Sequence, residues 1–169
     1  MVNYRRNYVP GGTCFFTVTL KDRGSNTLID HIEALRAAHR AVLKKSPFVI
    51  DASVILPDHL HAIWMLPEDD ADYSKRWQSI KADFSRRLSR SGKRGRRGLW
   101  QPRFWEHTIT SEEDLKTHRD YIHFNPVKHG LADSPANWPY SSFWRFVNAG
   151  FYAPGWGEPE YDLSGNFGE

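Results

Sequence analysis

Cysteine is almost missing from this 169-residue chain: Cys14 stands alone. One thiol excludes an intrachain disulfide and fits a reducing compartment, and its neighbours Phe15 and Phe16 point to a buried core position. No segment approaches the ~18 apolar residues of a membrane helix, and the start, Met1 to Arg6, has no apolar stretch resembling a signal sequence. A soluble cytoplasmic protein without a membrane partner is expected. Low-complexity tracts are also absent, and 40% hydrophobic with 14% aromatic residues argues for a packed core rather than disorder. Residues 149–169 lack Lys and Arg entirely while holding Glu158, Glu160, Asp162 and Glu169, which leaves residues 1–148 with 23 bases against 16 acids, a net of +7. That balance favours a polyanionic partner. The length suits one domain, residues 1–148, followed by an acidic aromatic tail, residues 149–169.

What is present is a set of short apolar runs. Thr13–Leu20, Phe48–Leu56, His59–Leu66 and Phe104–Ile109 read as strands from their β-branched and aromatic content. Leu28–Lys45 and Tyr73–Arg90 carry apolar residues at helical spacing, and His39 reads as a packed histidine beside the first stripe. The resulting order, β-α-β-β-α-β, is the pattern of an α+β, ferredoxin-like (split βαβ) antiparallel sheet with helices on one face. A further helix should follow, opened by a capping box of Thr110 and Glu113 and ended by Asn125-Pro126.

Two features carry chemistry. His59 and His61 alternate along a strand, so they share a face about 7 Å apart and can grip one divalent ion if a third ligand arrives. A half-buried strand whose histidines only hydrogen-bond fits the same pattern. On the added helix, His118, Tyr121 and Asn125 fall near one face. Two imidazoles and the Asn125 carbonyl form a mixed N/O set suited to Mg²⁺ or Mn²⁺ with positions left for phosphate oxygens. The Tyr121 hydroxyl could then attack phosphorus, with His118 the nearest candidate to take its proton. Ser91–Gly98 is a glycine-spaced basic loop, readable as a solvated connection or as a phosphate clamp.

Pro57-Asp58-His59-Leu60-His61 resembles the His-hydrophobic-His motif of HUH single-tyrosine transposases. The stretches Trp100–His107 and Asp120–Gly130, with Tyr4-Arg5-Arg6 and Gly11-Gly12-Thr13, look like the hallmark segments of one branch, the REP-associated tyrosine transposases. The likeness spans roughly residues 3–147. It implies a ferredoxin-like nuclease with an added catalytic helix. Such an enzyme cuts and rejoins single-stranded DNA at hairpin-forming repetitive extragenic palindromes of bacterial chromosomes, in the cytoplasm at the nucleoid. By the same likeness, Tyr121 becomes joined to a 5′-phosphate and leaves a 3′-OH, and His59, His61 and Asn125 map onto the metal ligands. Insertion-sequence relatives commonly carry Gln at the third ligand position and work as dimers, whereas this branch is associated with monomers. Arg5, Arg6, Lys81, Lys93, Arg94, Arg96, Arg97, Arg103 and Lys128 are the bases expected to meet DNA.

Three other readings compete: a hairpin-binding module that does not cut, a metal-dependent hydrolase in which water attacks, and an insertion-sequence transposase acting on its own element ends. The tail invites two more. Phe151, Tyr152, Trp156 and Tyr161 should dock on the domain rather than face water, either to complete the core or to cover the DNA groove or active site.

Overall fold

A computed structural model describes residues 5–90, 98–157 and 167–168. Four strands, β1 (Thr13–Thr19), β2 (Val49–Ile55), β3 (His59–Met65) and β4 (Trp105–Thr108), form one antiparallel sheet in the order β2-β3-β1-β4. This is the split-βαβ arrangement, and it sets β3 and β1, the strands with the longest apolar runs, at the centre. Both faces of those strands are covered, which is why they read as continuous hydrophobic runs rather than alternating ones.

On one face lie α2 (Ile32–Lys45) and α3 (Tyr73–Arg90), their apolar stripes closed over Phe16, Val18, Ala62 and Trp64. Trp64 and Trp77 stack at 4.1 Å, and Cys14 is fully buried here, its thiol pushed up to about 11 chiefly by burial. His39 packs as expected, its Nδ1 donating to the Leu35 carbonyl at 3.0 Å. The expected single helix from Leu28 is two: α1 (Thr27–Asp30) is separated from α2 by His31, whose φ of −121° leaves the helical region.

The other face is covered by α4 (Glu112–Lys128) and the short α5 (Phe143–Asn148), over Phe15, Val54, Ile63, Tyr121, Ile122 and Phe146. Two expectations about α4 are corrected. The N-cap is Ser111, one residue later, and no reciprocal box forms: the Ser111 hydroxyl accepts from Asp114 N at 3.0 Å, while the Asp114 carboxylate accepts from N of Thr110, the residue before the cap, at 2.9 Å. Pro126 does not end the helix, which runs on to Lys128. Only one bond of the last turns is lost with the missing N–H, while burial of Tyr121, Ile122 and Asn125 holds the helix on the sheet. Gly130, at φ +67°, then turns the chain out. A bulge in β2 between Ile50 and Ala52 frees Asp51 to take Arg119 of α4 bidentately at 2.8 and 2.6 Å, which pins the helix to the sheet edge. Among the described residues no helix is long and apolar enough to cross a membrane.

Candidate active site

Strand alternation puts His59 and His61 on the face covered by α4, and both are almost fully buried. Their rings lie 5.0 Å apart, nearly perpendicular, and His61 meets the Tyr121 ring edge-on at 5.2 Å. Asn125, one turn beyond Tyr121, is wholly buried on the same helix. The fold therefore gathers the strand pair and the helix pair that the sequence separates by about sixty residues.

Outer contacts orient the imidazoles. His59 Nδ1 lies 2.7 Å from Asp58 Oδ1, and Arg23 Nε donates to Asp58 Oδ2 at 2.6 Å. Burial alone would raise the Asp58 carboxyl, but the bonds and charges of His59 and Arg23 outweigh it and hold the group below its ordinary value. An ionised carboxylate only accepts, so His59 carries its proton on Nδ1 and directs its lone pair from Nε2. This carboxylate–imidazole pair is the usual support of a metal-ligating histidine. Donor chemistry and orientation thus fit a divalent ion at His59, His61 and Asn125.

The Tyr121 hydroxyl accepts from Lys128 Nζ at 3.1 Å. One face of its ring is covered by Phe167, stacked at 3.7 Å and 9°. His118 lies a turn earlier, its Nδ1 donating to the Asp114 carbonyl at 2.8 Å, its ring between Phe15 and His107. Burial lowers its basicity despite the neighbouring Asp114. His107, Asp114 and His118 form a second group with ligand atoms within 4.8 Å of one another. The two rings stack at 10°, however, and parallel imidazole planes cannot aim both lone pairs at one ion without turning. As it stands the group is a hydrogen-bonded clamp between β4 and α4.

The expected DNA-contacting bases divide. Arg5 and Arg103 are exposed. Arg6 is turned inward, ion-paired with Glu106, donating to the Phe104 carbonyl and lying over the Phe104 ring. Lys81 donates to the Gln101 carbonyl at 2.9 Å, its basicity lowered chiefly by burial, and Lys128 points to Tyr121. Lys93, Arg94, Arg96 and Arg97 lie outside the described residues, as does Tyr161. Sequence reasoning missed Phe167, the Lys128 contact and Thr17, whose hydroxyl lies 2.8 Å from His61 Nδ1. Only the register of β1 against β3, which pairs Thr17 with His61, could have signalled the last.

Comparison with known proteins places the chain in a family. The family described as "Transposase IS200 like" matches residues 15–125. A REP-associated tyrosine transposase of Escherichia coli is 45% identical over 164 residues, covering 97% of this chain and 96% of that one. The solved structure of a REP-associated tyrosine transposase bound to a REP hairpin superposes with a TM-score of 0.90 at 45% identity, covering 100% of this chain and 98% of that one. With a family match across most of its length and a full-length relative at this identity, the chain belongs to the REP-associated tyrosine transposases of the IS200-like transposase family.

Proposed function

We propose that this transposase binds hairpins of repetitive extragenic palindromes and cuts the adjoining single strand by attack of Tyr121 on phosphorus. The Tyr121 oxygen bonds to phosphorus as the bond from phosphorus to the 3′-oxygen breaks; the protein keeps the 5′-phosphate and the departing strand leaves as a 3′-OH. Reversal rejoins DNA without a nucleotide cofactor. His59, His61 and Asn125 would hold Mg²⁺ or Mn²⁺, which when bound would polarise the scissile phosphodiester. Lys128 Nζ favours the phenolate it faces. His118, with Nδ1 committed to Asp114, offers Nε2 as proton acceptor.

The observation that carries this reading is the edge-on contact of buried His61 with Tyr121, a nucleophile held against a metal-ligand strand. Arg5, Arg103 and the loop of Lys93, Arg94, Arg96 and Arg97 would meet phosphates, with the protein working as a monomer in the cytoplasm at the nucleoid. The stacked Phe167 ring restrains the nucleophile until DNA displaces it. Denaturing gels of a labelled hairpin substrate with Mn²⁺ test the chemistry. An SDS-resistant adduct is expected; cut ends without an adduct mean water attack, and a shift without cutting means binding alone.

A further inference from the structure

The two histidines of β3 have their protons fixed by different means. Asp58, the residue beside it in sequence, settles His59. For His61 the partner is a hydroxyl, which can donate or accept, so the answer lies one bond further out. Thr17 Oγ1 donates to the Phe167 carbonyl at 2.6 Å and lies 2.8 Å from His61 Nδ1. A carbonyl cannot donate, so the single hydroxyl hydrogen is committed to Phe167. The Thr17 oxygen meets His61 with a lone pair, and Nδ1 must carry the hydrogen. A neutral imidazole has one N–H, so the His61 lone pair is on Nε2.

We infer that the Phe167 carbonyl, acting through Thr17, is a positioning group for His61 that holds the imidazole in its metal-ligating tautomer. Without that carbonyl the Thr17 hydrogen can swing to Nδ1 and the ring proton to Nε2, the form that cannot ligate through that atom. Thr17 is almost wholly buried, which leaves little access for water to replace the carbonyl. Trp105, Thr17 and His61 are successive partners across β4, β1 and β3, and Phe167-Gly168 lies along this row. Gly168 makes the approach possible: its φ is +77°, and a Cβ there would stand 2.5 Å from Trp105 Cγ. One residue therefore does two opposed things. Its ring covers the nucleophile, while its carbonyl readies a metal ligand, so docking of this residue and ion binding favour each other.

The metal half of this inference rests on the proposed role of His61; the tautomer half does not. Two-bond ¹H–¹⁵N correlation at pH 8, without metal, reads each histidine's protonated nitrogen directly. In the full chain His61 is expected to show Nδ1 protonated and Nε2 bare. Removing residues 167–169, or Gly168→Ala, should convert it to the Nε2–H form or a mixture, with His59 unchanged as the internal control. Phe167→Ala keeps the carbonyl but loses the stacked ring that seats it, so its shift toward the Nε2–H form should be smaller than that of the truncated chain. Calorimetric titration with Mn²⁺ should show about 2- to 10-fold weaker binding in the truncated and Gly168→Ala chains, at or below the range typical for losing an outer-shell partner. An unaltered His61 tautomer in both, with the fold intact by ¹⁵N–¹H spectra, overturns the inference. An altered tautomer with unaltered Mn²⁺ affinity upholds the relay and instead removes His61 from the metal set.

Discussion

The two faces of the sheet are built from the same strands and do different things. Even-numbered residues of β1 and β3 (Phe16, Val18, Ala62, Trp64) meet α2 and α3 in an apolar layer, while their odd-numbered neighbours (Thr17, His59, His61) lie on the opposite face among hydrogen-bonding partners, with His61 against Tyr121 of α4. Period-two alternation thus lets one strand serve as core and site at once. Misplacing β3 by one residue would exchange the two roles completely. The rigid face is what lets the polar face hold three buried donors in register.

Loss of one group on each face breaks this comparison most sharply. Tyr121→Phe should abolish the covalent adduct while hairpin affinity and melting temperature stay near native, since the ring still packs. A persisting adduct on denaturing gels would mean the nucleophile lies elsewhere. Trp77→Ala, on the apolar face, should cost about 3–5 kcal/mol in denaturant unfolding, as buried large-to-small changes do. Whatever protein remains folded should still cut. If the Trp77 change instead removed activity at full stability, the two faces would not be separable as argued.

A smaller effect is expected in the polar layer beyond the site. His123 is fully buried, bonded to Ser142 Oγ at 2.7 Å and to Tyr152 OH at 3.1 Å, and its pKa is lowered to about 3, first by burial and then by the charge of Arg145. A depressed histidine binds its proton in the unfolded chain before the folded one. Stability is therefore present above about pH 6.5 and falls as the pH drops toward 3, by on the order of 5 kcal/mol at about 1.36 per unit. His123→Gln cannot titrate and should flatten that slope in urea melts taken from pH 7 to 4. An unchanged slope would place the acid sensitivity in other groups.

Legibility followed the range of the forces. The Tyr73–Arg90 stripe fixed α3 to the residue, and His-x-His on an apolar run placed both imidazoles on one strand face, because both patterns are local. The break at His31 and the continuation through Pro126 were not legible, since packing rather than propensity decided them. Nor was the fate of the bases: Arg6 and Lys81 read as surface charge in composition, yet Glu106 and the Gln101 carbonyl draw them inward from across the fold. The aromatic tail was half legible: Phe151, expected to dock, is 61% exposed. Tyr152 stacks on Phe143 and Trp156 and donates to Asp120 at 2.8 Å, which ties residues near the start of the tail into the core. That a single phenylalanine near the end would settle on Tyr121 left no local signature.

The smallest predicted effect concerns that phenylalanine and sharpens the contrast between the two faces. On the apolar face an aromatic stack such as Trp64 with Trp77 only stabilises; on the site face the stack of Phe167 on Tyr121 also covers the proposed nucleophile. Such a pair is worth about 0.5–1.5 kcal/mol beyond its buried area. If that energy must be given up before DNA reaches the phenol, Phe167→Ala should speed single-turnover cleavage by about 2- to 10-fold at saturating Mn²⁺. Saturating Mn²⁺ keeps any loss of metal affinity through a less firmly seated residue 167 out of the rate. Adduct formation followed in time on denaturing gels, with hairpin in excess of its dissociation constant, decides the matter. A rate no faster than native would make Phe167 packing alone, and the site face would then differ from the apolar face in chemistry but not in restraint.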